Sequence, residues 1–440
     1  MGSARESAML TLAACERQGA WSDGYLKKTL REQGLDRRDA ALATRLCYGV
    51  LQNKLLLDWH LAQFCKSRLV ELDIRVLCNL RVAAYQLLFM DKIPPSAAVN
   101  EAVALTKKHC RNPRAAGMVN GILRAMLRQG ELPAPKGHDK EETLSLKYSH
   151  PLWLVKEFVD VLGAESTEKL LAENNRQPPT TAQINVLCTD SEELAEALRE
   201  DGVEVQPHPW LPDCLLLSGT GDLERLAPFR DGKFYVQDAA SRLAVTAAGV
   251  VPGSRVLDCC AAPGGKSISA AIDMENKGEI ISCDIHPHKM KLIDAGQNRL
   301  GLSIITPCLQ SAAVLKEEWL GGFDTVITDV PCSGLGIIRK KPDIRYKEPK
   351  ALKGLPKVQR TILDNCARYV CPGGILLYST CTLLCRENED VVAGFLADHP
   401  WFELESFQLP QFGEQPGQIT FWPHIHGTDG FFVAKLRRKR

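Results

Sequence analysis

The sequence predicts a multidomain chain: an all-helical amino-terminal domain at residues 1–135, a small α+β module at 141–236, and an α/β domain with a mostly parallel sheet at 237–440. Three observations lead there. Over 7–129, apolar residues recur three and four positions apart with few β-branched runs. Between 130 and 140 the chain turns rich in Pro, Gly and charge, the composition of a linker. After Gln237, strand-like and helical stretches alternate, as in a parallel sheet covered on both faces. The length, 440 residues, exceeds what one growing core supports.

Within the helical domain, Val119, Ile122, Leu123, Met126 and Leu127 form one stripe, with Gly130 as the stop. Another helix starts at Ser96 behind Pro94 and Pro95 and buries Val99, Ala102 and Val103. The middle module reads as strands at 182–187, 214–217 and 234–236 with a helix at 192–199. The third domain reads as buried strands at 255–258, 280–284, 304–307, 325–330 and 375–379, and segments 402–407 and 431–436 add strands at the end. A ligand site belongs at the carboxyl ends of these strands.

Composition excludes several classes. The chain is 45% hydrophobic and 24% charged, as in ordinary globular proteins. It holds no apolar run of roughly 18 residues and no signal-like start, so a cytoplasmic protein without a membrane partner is expected. The 16 cysteines are scattered without a C-x-x-C pair, which points to reduced thiols. The net charge of +1 hides an imbalance: residues 1–150 hold 23 Lys and Arg against 15 Asp and Glu, the remainder 31 against 38. A basic first third suits a polyphosphate partner.

The first strand of the α/β domain ends in Asp258-Cys259 and then Cys260-Ala261-Ala262-Pro263-Gly264-Gly265-Lys266, before a helix beginning near Ser267. Small residues let the backbone approach a ligand, yet neither phosphate-cradling glycine motif is present. Asp284, ending the second strand, stands where this fold type places a carboxylate that accepts from a ribose. Ribose without phosphate handling points to an adenosyl ligand. The run 260–266 resembles the cofactor loop of the RNA 5-methylcytosine methyltransferases, the Nol1, Nop2 and Sun family. That resemblance implies a Rossmann-like methyltransferase domain and S-adenosylmethionine as cofactor.

Two further strands end in Asp329-Val330-Pro331-Cys332-Ser333-Gly334 and Ser379-Thr380-Cys381-Thr382. Both thiols therefore follow strands that converge on the loop. Carbon 5 of cytosine is a poor nucleophile, but adding a thiolate to carbon 6 makes it enamine-like and able to accept a methyl group. Adduct formation also needs the ring polarised at nitrogen 3, a task for a carboxyl group held with a raised pKa. Spacing does not distinguish the two thiols, since DNA cytosine methyltransferases use a Pro-Cys nucleophile. The paired signature is similar to that of the same RNA family, and by that resemblance Cys381 attacks, Cys332 assists release and Asp329 contacts the cytosine edge. Cys259 is expected to be a packing residue and Cys385 a bystander.

Residues 336–346, 359–363, 386–389 and 429–435 look like the bacterial Sun branch, whose members methylate 16S ribosomal RNA and carry a helical domain similar to the antitermination factor NusB. The chain departs from the branch after the third strand, where Gln310 and Ser311 replace an Asp near the adenine; Gln310 is expected to bond the amino group instead. RNA contact is expected from the basic helical domain and from Arg339, Lys340, Lys341 and Arg345, with an unstacked target base. No metal is expected, because no carboxylate or Cys cluster completes His286 and His288 or His424 and His426 at zinc-like spacing. A monomer is expected. The competing reading is a non-catalytic RNA-binding ribosome-assembly or antitermination factor, opposed by intact Cys381, Cys332, Asp329 and the loop.

Overall fold

A computed structural model describes residues 3–18 and 22–440. The chain divides into two compact units, Met1–Arg176 with Ile338–Lys347, and Gln177–Ile337 with Glu348–Arg440.

The first unit is helical. Its main elements are α1 Ala4–Gln18, α2 Ser22–Gln33, α3 Arg37–Ala62, α4 Ile74–Phe89, α5 Pro95–His109, α6 Pro113–Gln129, α7 Lys140–Tyr148 and α8 Leu152–Glu173. Side chains of Asp36, Asp73, Asn112 and Asp139 cap α3, α4, α6 and α7. Val119, Ile122, Leu123 and Met126 enter the core as their spacing predicts, whereas Leu127 is 39% exposed at the edge of the stripe. Helices α7 and α8 pack with this unit, and the Ser149 hydroxyl accepts from the Leu55 amide of α3 at 2.8 Å.

The segment Ile338–Lys347 belongs to the same unit. Its Arg345 is fully buried and donates to the carbonyls of Gln52, Ser149 and Asn174 and to Asn175 Oδ1 at 2.8 Å. Burial lowers this guanidinium to about 10. Arg339 is also buried and lies 3.5 Å from Glu173. The expectation that Arg339 and Arg345 hold RNA phosphates is therefore corrected: of the four basic residues only Lys340 and Lys341 are exposed. A guanidinium has enough donors to satisfy several converging carbonyls, which is what buries Arg345.

The second unit contains two sheets. Strands β1 Thr180–Ile184, β2 Glu204–Pro207, β3 Cys214–Ser218 and β4 Phe234–Val236 form an antiparallel sheet in the order β2-β3-β1-β4. Helix Ser191–Glu200 contributes Leu194, Ala195 and Leu198 to its core. The larger sheet contains β5 Arg255–Asp258, β6 Glu279–Asp284, β7 Ile305–Leu309, β8 Phe323–Asp329, β9 Val370–Thr380, β10 Phe402–Leu404, β13 Gln418–Phe421 and β14 Phe431–Arg438; β11 Phe407–Leu409 and β12 Gly413–Gln415 form a separate pair. Its order is β10-β14-β9-β8-β5-β6-β7, with β13 on β14. Strands β5 to β9 run parallel and β14 antiparallel to β9. Connections lead one way from β5 to β6 and β7 and the other way to β8 and β9, so the order reverses between β5 and β8, where this topology opens a crevice.

Among the described residues, no helix is long and apolar enough to cross a membrane, and no three His, Cys, Asp or Glu residues gather as a metal-holding group.

Candidate active site

The crevice is built by the turns that follow β5, β8 and β9. After β5, the Cys259 amide donates to Ile327 of β8 at 2.9 Å and the Ala261 amide to Cys283 of β6 at 2.8 Å, so the loop is pinned to both neighbours. Gly264 turns the chain at φ 108° into helix Gly265–Asp273, a conformation that favours glycine. A β-carbon on Gly265 would crowd the Gln237 amide at 3.3 Å. Cys259 is buried in the core, while Cys260 is partly exposed.

A cavity of about 180 Å³ opens over this loop, bounded by Cys260, Ala261, Ala262, Pro263, Gly265 and Lys266, and by Gln237, Asp258 and Asp329 on the other walls. Asp258 is buried beneath it. Its Oδ2 accepts from Ser267 at 2.8 Å, but Oδ1 has no partner. Burial pushes this carboxyl up to about 6, against the pull of Ser267 and Lys266. A buried, unpaired acceptor facing a cavity fits a ligand with a donor group. Asp284 is nearly buried and accepts from the His286 amide at 3.0 Å and from Lys289 at 3.4 Å. Gln310 lies past β7, where its Nε2 donates to the Ser311 and Val314 carbonyls at 3.2 and 3.0 Å, so this amide end is occupied by its own turn.

The parallel register of β8 and β9 sets Asp329 beside Ser379, whose hydroxyl donates to Asp329 Oδ1 at 3.0 Å. The other carboxylate oxygen meets Lys266 Nζ at 2.5 Å. Lys266 is almost buried, and Phe431 covers its ammonium 4.9 Å away. A carboxylate tied to an ammonium and a hydroxyl in this way is fixed in place by both.

The two thiols follow directly. Cys332 Sγ lies 3.3 Å from Cys381 Sγ. Their loops are fastened to each other, because Ser333 Oγ is 2.6 Å from Thr382 Oγ1 and the Gly336 amide donates to the Cys381 carbonyl at 2.9 Å. A β-carbon on Gly336 would run into the Gly430 carbonyl, so only glycine permits this approach. Beneath them Glu387 is fully buried and accepts from the Ser333 amide at 2.8 Å and from Gln359 at 2.9 Å. Asn388 joins Thr380 at 2.6 Å to the Thr382 carbonyl at 3.0 Å.

Cys332 is held well above the ordinary thiol range, first by its hydrogen bond with Cys381, then by burial and by the charges of Glu387 and Asp329. Either thiol can donate to the other across this contact.

The structure brings Cys381, Cys332, Asp329 and Lys266 into one crevice with the 260–266 loop. Sequence reasoning missed Gln237 and Asp258 at the cavity and Glu387 with Gln359 beneath the thiols. Asp258 carried a signal, standing at a strand end immediately before the loop.

The chain is 36% identical over 446 residues to the probable ribosomal RNA small subunit methyltransferase B of Bacillus subtilis, covering 99% of each. It belongs to the ribosomal RNA small subunit methyltransferase B family. The Klebsiella pneumoniae ribosomal RNA small subunit methyltransferase B is 32% identical, across 93% of this chain and 92% of its own. The family profile described as 16S rRNA methyltransferase RsmB/F matches residues 246–437, that of the NusB family 2–128, and that of the ferredoxin-like domain of RsmF/B-like methyltransferases 150–224. Among solved structures, that of PH0851 superposes with a TM-score of 0.82 at 29% identity, covering 99% of this chain and 98% of that one. The fold is accordingly a NusB helical domain, a small middle domain and a Rossmann-like methyltransferase domain, as the sequence predicts.

Proposed function

We propose that the chain transfers a methyl group from S-adenosylmethionine to carbon 5 of a cytosine in 16S ribosomal RNA through a covalent Cys381 adduct at carbon 6. The observation that carries this reading is the thiol pair, 3.3 Å apart, beside the Lys266–Asp329 ion pair and the loop cavity. Methyltransferases acting on amines or carboxylates need no such pair, because those acceptors are nucleophiles already. Bound S-adenosylmethionine supplies an electrophilic methyl group.

The chain's residues divide the remaining work. The small side chains of Ala261, Ala262 and Gly265 would allow the ligand close to the backbone, Asp258, whose Oδ1 has no partner, would accept from its amino group and Asp284 from its ribose. Asp329, oriented by Lys266 and Ser379, accepts from the exocyclic amine of cytosine and fixes the ring. Cys381 adds to carbon 6, which makes carbon 5 nucleophilic. After methylation the carbon 5 proton passes to water, and the electron pair it leaves re-forms the ring double bond and expels the Cys381 thiolate, with Cys332 placed beside the departing sulfur to assist.

Family membership supports RNA as substrate, since the matched relatives are named for small-subunit ribosomal RNA. The test is incubation with methyl-labelled S-adenosylmethionine and small-subunit RNA, followed by nucleoside analysis. The reading expects 5-methylcytidine; label on another base or on ribose contradicts it.

A further inference from the structure

A cleft of about 530 Å³ opens far from the thiols, at the opposite ends of the same strands. Its walls come from the segments that enter β8, β9 and β10 and from the end of β14, which runs antiparallel to β9. Strand β9 spans 11 residues between the two ends, on the order of 35 Å.

The cleft is lined by Arg368, Arg438, Trp401, His399 and Pro372. Trp401 is 50% exposed, a large apolar ring that the fold leaves in solvent. It is held rather than loose: His399 stacks on Phe395 with centroids 4.2 Å apart and meets the Trp401 ring edge-on at 5.1 Å. Arg438 donates to the Val370 carbonyl at 2.5 Å. Arg368 is exposed. Among the described residues, no side-chain carboxylate pairs with either guanidinium. Glu403 lies 3.6 Å from Lys439, and Asp364 pairs with Arg360 at 2.7 Å and lies 3.8 Å from His399. Arg440 adds a third guanidinium beside Gly373. This surplus of positive charge sits in the acidic part of the chain, since residues beyond 150 hold more Asp and Glu than Lys and Arg.

A fixed, exposed indole beside guanidiniums with spare donors is the chemistry that holds a single-stranded nucleotide: the base stacks and the phosphates meet the cations. We propose that this cleft is a second RNA contact, in which Trp401 stacks one unpaired base and Arg368 and Arg438 take the flanking phosphates. The inference rests on the reading that RNA is the substrate. The stretch bound here lies too far from Cys381 to contain the target cytosine, so it belongs to a remote part of the same RNA.

The test measures binding of a short, unstructured oligoribonucleotide to the full chain and to Trp401→Ala, Trp401→Phe and Arg368→Ala, with thermal melts as a folding control. The expected result is about tenfold weaker binding for Trp401→Ala, recovered in part by Trp401→Phe. For Arg368→Ala, the slope of log affinity against log salt should become shallower by about one. Unchanged affinity and salt slope in folded variants would overturn the proposal, as would polyglutamate binding through the same residues in preference to RNA. A wild-type chain that methylates ribosomal RNA while these variants bind normally overturns this contact alone; a chain that methylates no RNA overturns the broader reading.

Discussion

Cys332 Sγ and Cys381 Sγ face each other at 3.3 Å, each just beyond the carboxyl end of one of two neighbouring parallel strands. Spacing in the sequence treats them alike. The bond to Cys381 is the largest cause that holds the proton on Cys332. Removing that bond in Cys381→Ala should therefore increase thiolate at Cys332. The expected outcome is faster iodoacetamide labelling of Cys332 in Cys381→Ala than in the parent at pH 8, read by peptide mass spectrometry.

Lys266 and Asp329 act as one unit, because their contact is 2.5 Å and Lys266 is almost buried. Lys266→Met and Asp329→Asn should each lower kcat/KM about 100-fold, a loss of roughly 3 kcal/mol from an unpaired charge or a misplaced base. The double variant should fall little further than either single one. Full additivity in the cycle would show that the pair is not a unit.

Asp258 should be visible in the pH dependence of stability. Its carboxyl is raised in the folded chain from 3.8 to about 6, so the native state holds this proton more tightly than the unfolded state does. The resulting stabilisation is present below about pH 4 and is lost as the pH climbs through about 6, a change of about 3 kcal/mol. In Asp258→Asn, urea midpoints between pH 4 and 7 should lack this decline.

Arg345 is a structural residue of the helical unit rather than a phosphate ligand. Arg345→Ala leaves several buried carbonyls without donors and should cost about 3 kcal/mol in urea unfolding. Arg345→Lys should restore little, because an ammonium cannot span the same acceptors as a planar guanidinium.

The parts of the fold legible in the sequence are those whose information is local. Strands β5, β8 and β9 carry the short buried apolar runs Val256-Leu257, Val326-Ile327 and Ile375-Leu376-Leu377, and the glycines after β5 mark its turn. Strand β2 escaped because it is a sheet edge carrying Glu204, Gln206 and Pro207, with no apolar alternation to betray it. The sequence presents 402–407 as one strand, whereas Phe402–Leu404 and Phe407–Leu409 pair in different sheets. In the crevice the candidate residues could be named singly, but their partners could not. Lys266 and Asp329 are 63 residues apart, and Gln359 and Glu387 are 28 apart, so only the tertiary fold joins them. Arg345 follows the same logic: a basic run looks solvated until the carbonyls of Gln52, Ser149 and Asn174 converge on it.

The central claim, that Cys381 attacks while Cys332 assists release, is tested most directly by trapping. Cys332→Ala and Cys381→Ala are each incubated with small-subunit RNA and S-adenosylmethionine, then resolved on a denaturing gel that retains covalent protein–RNA species. The account expects the adduct to accumulate in Cys332→Ala and to be absent from Cys381→Ala. Accumulation in Cys381→Ala with none in Cys332→Ala would contradict it.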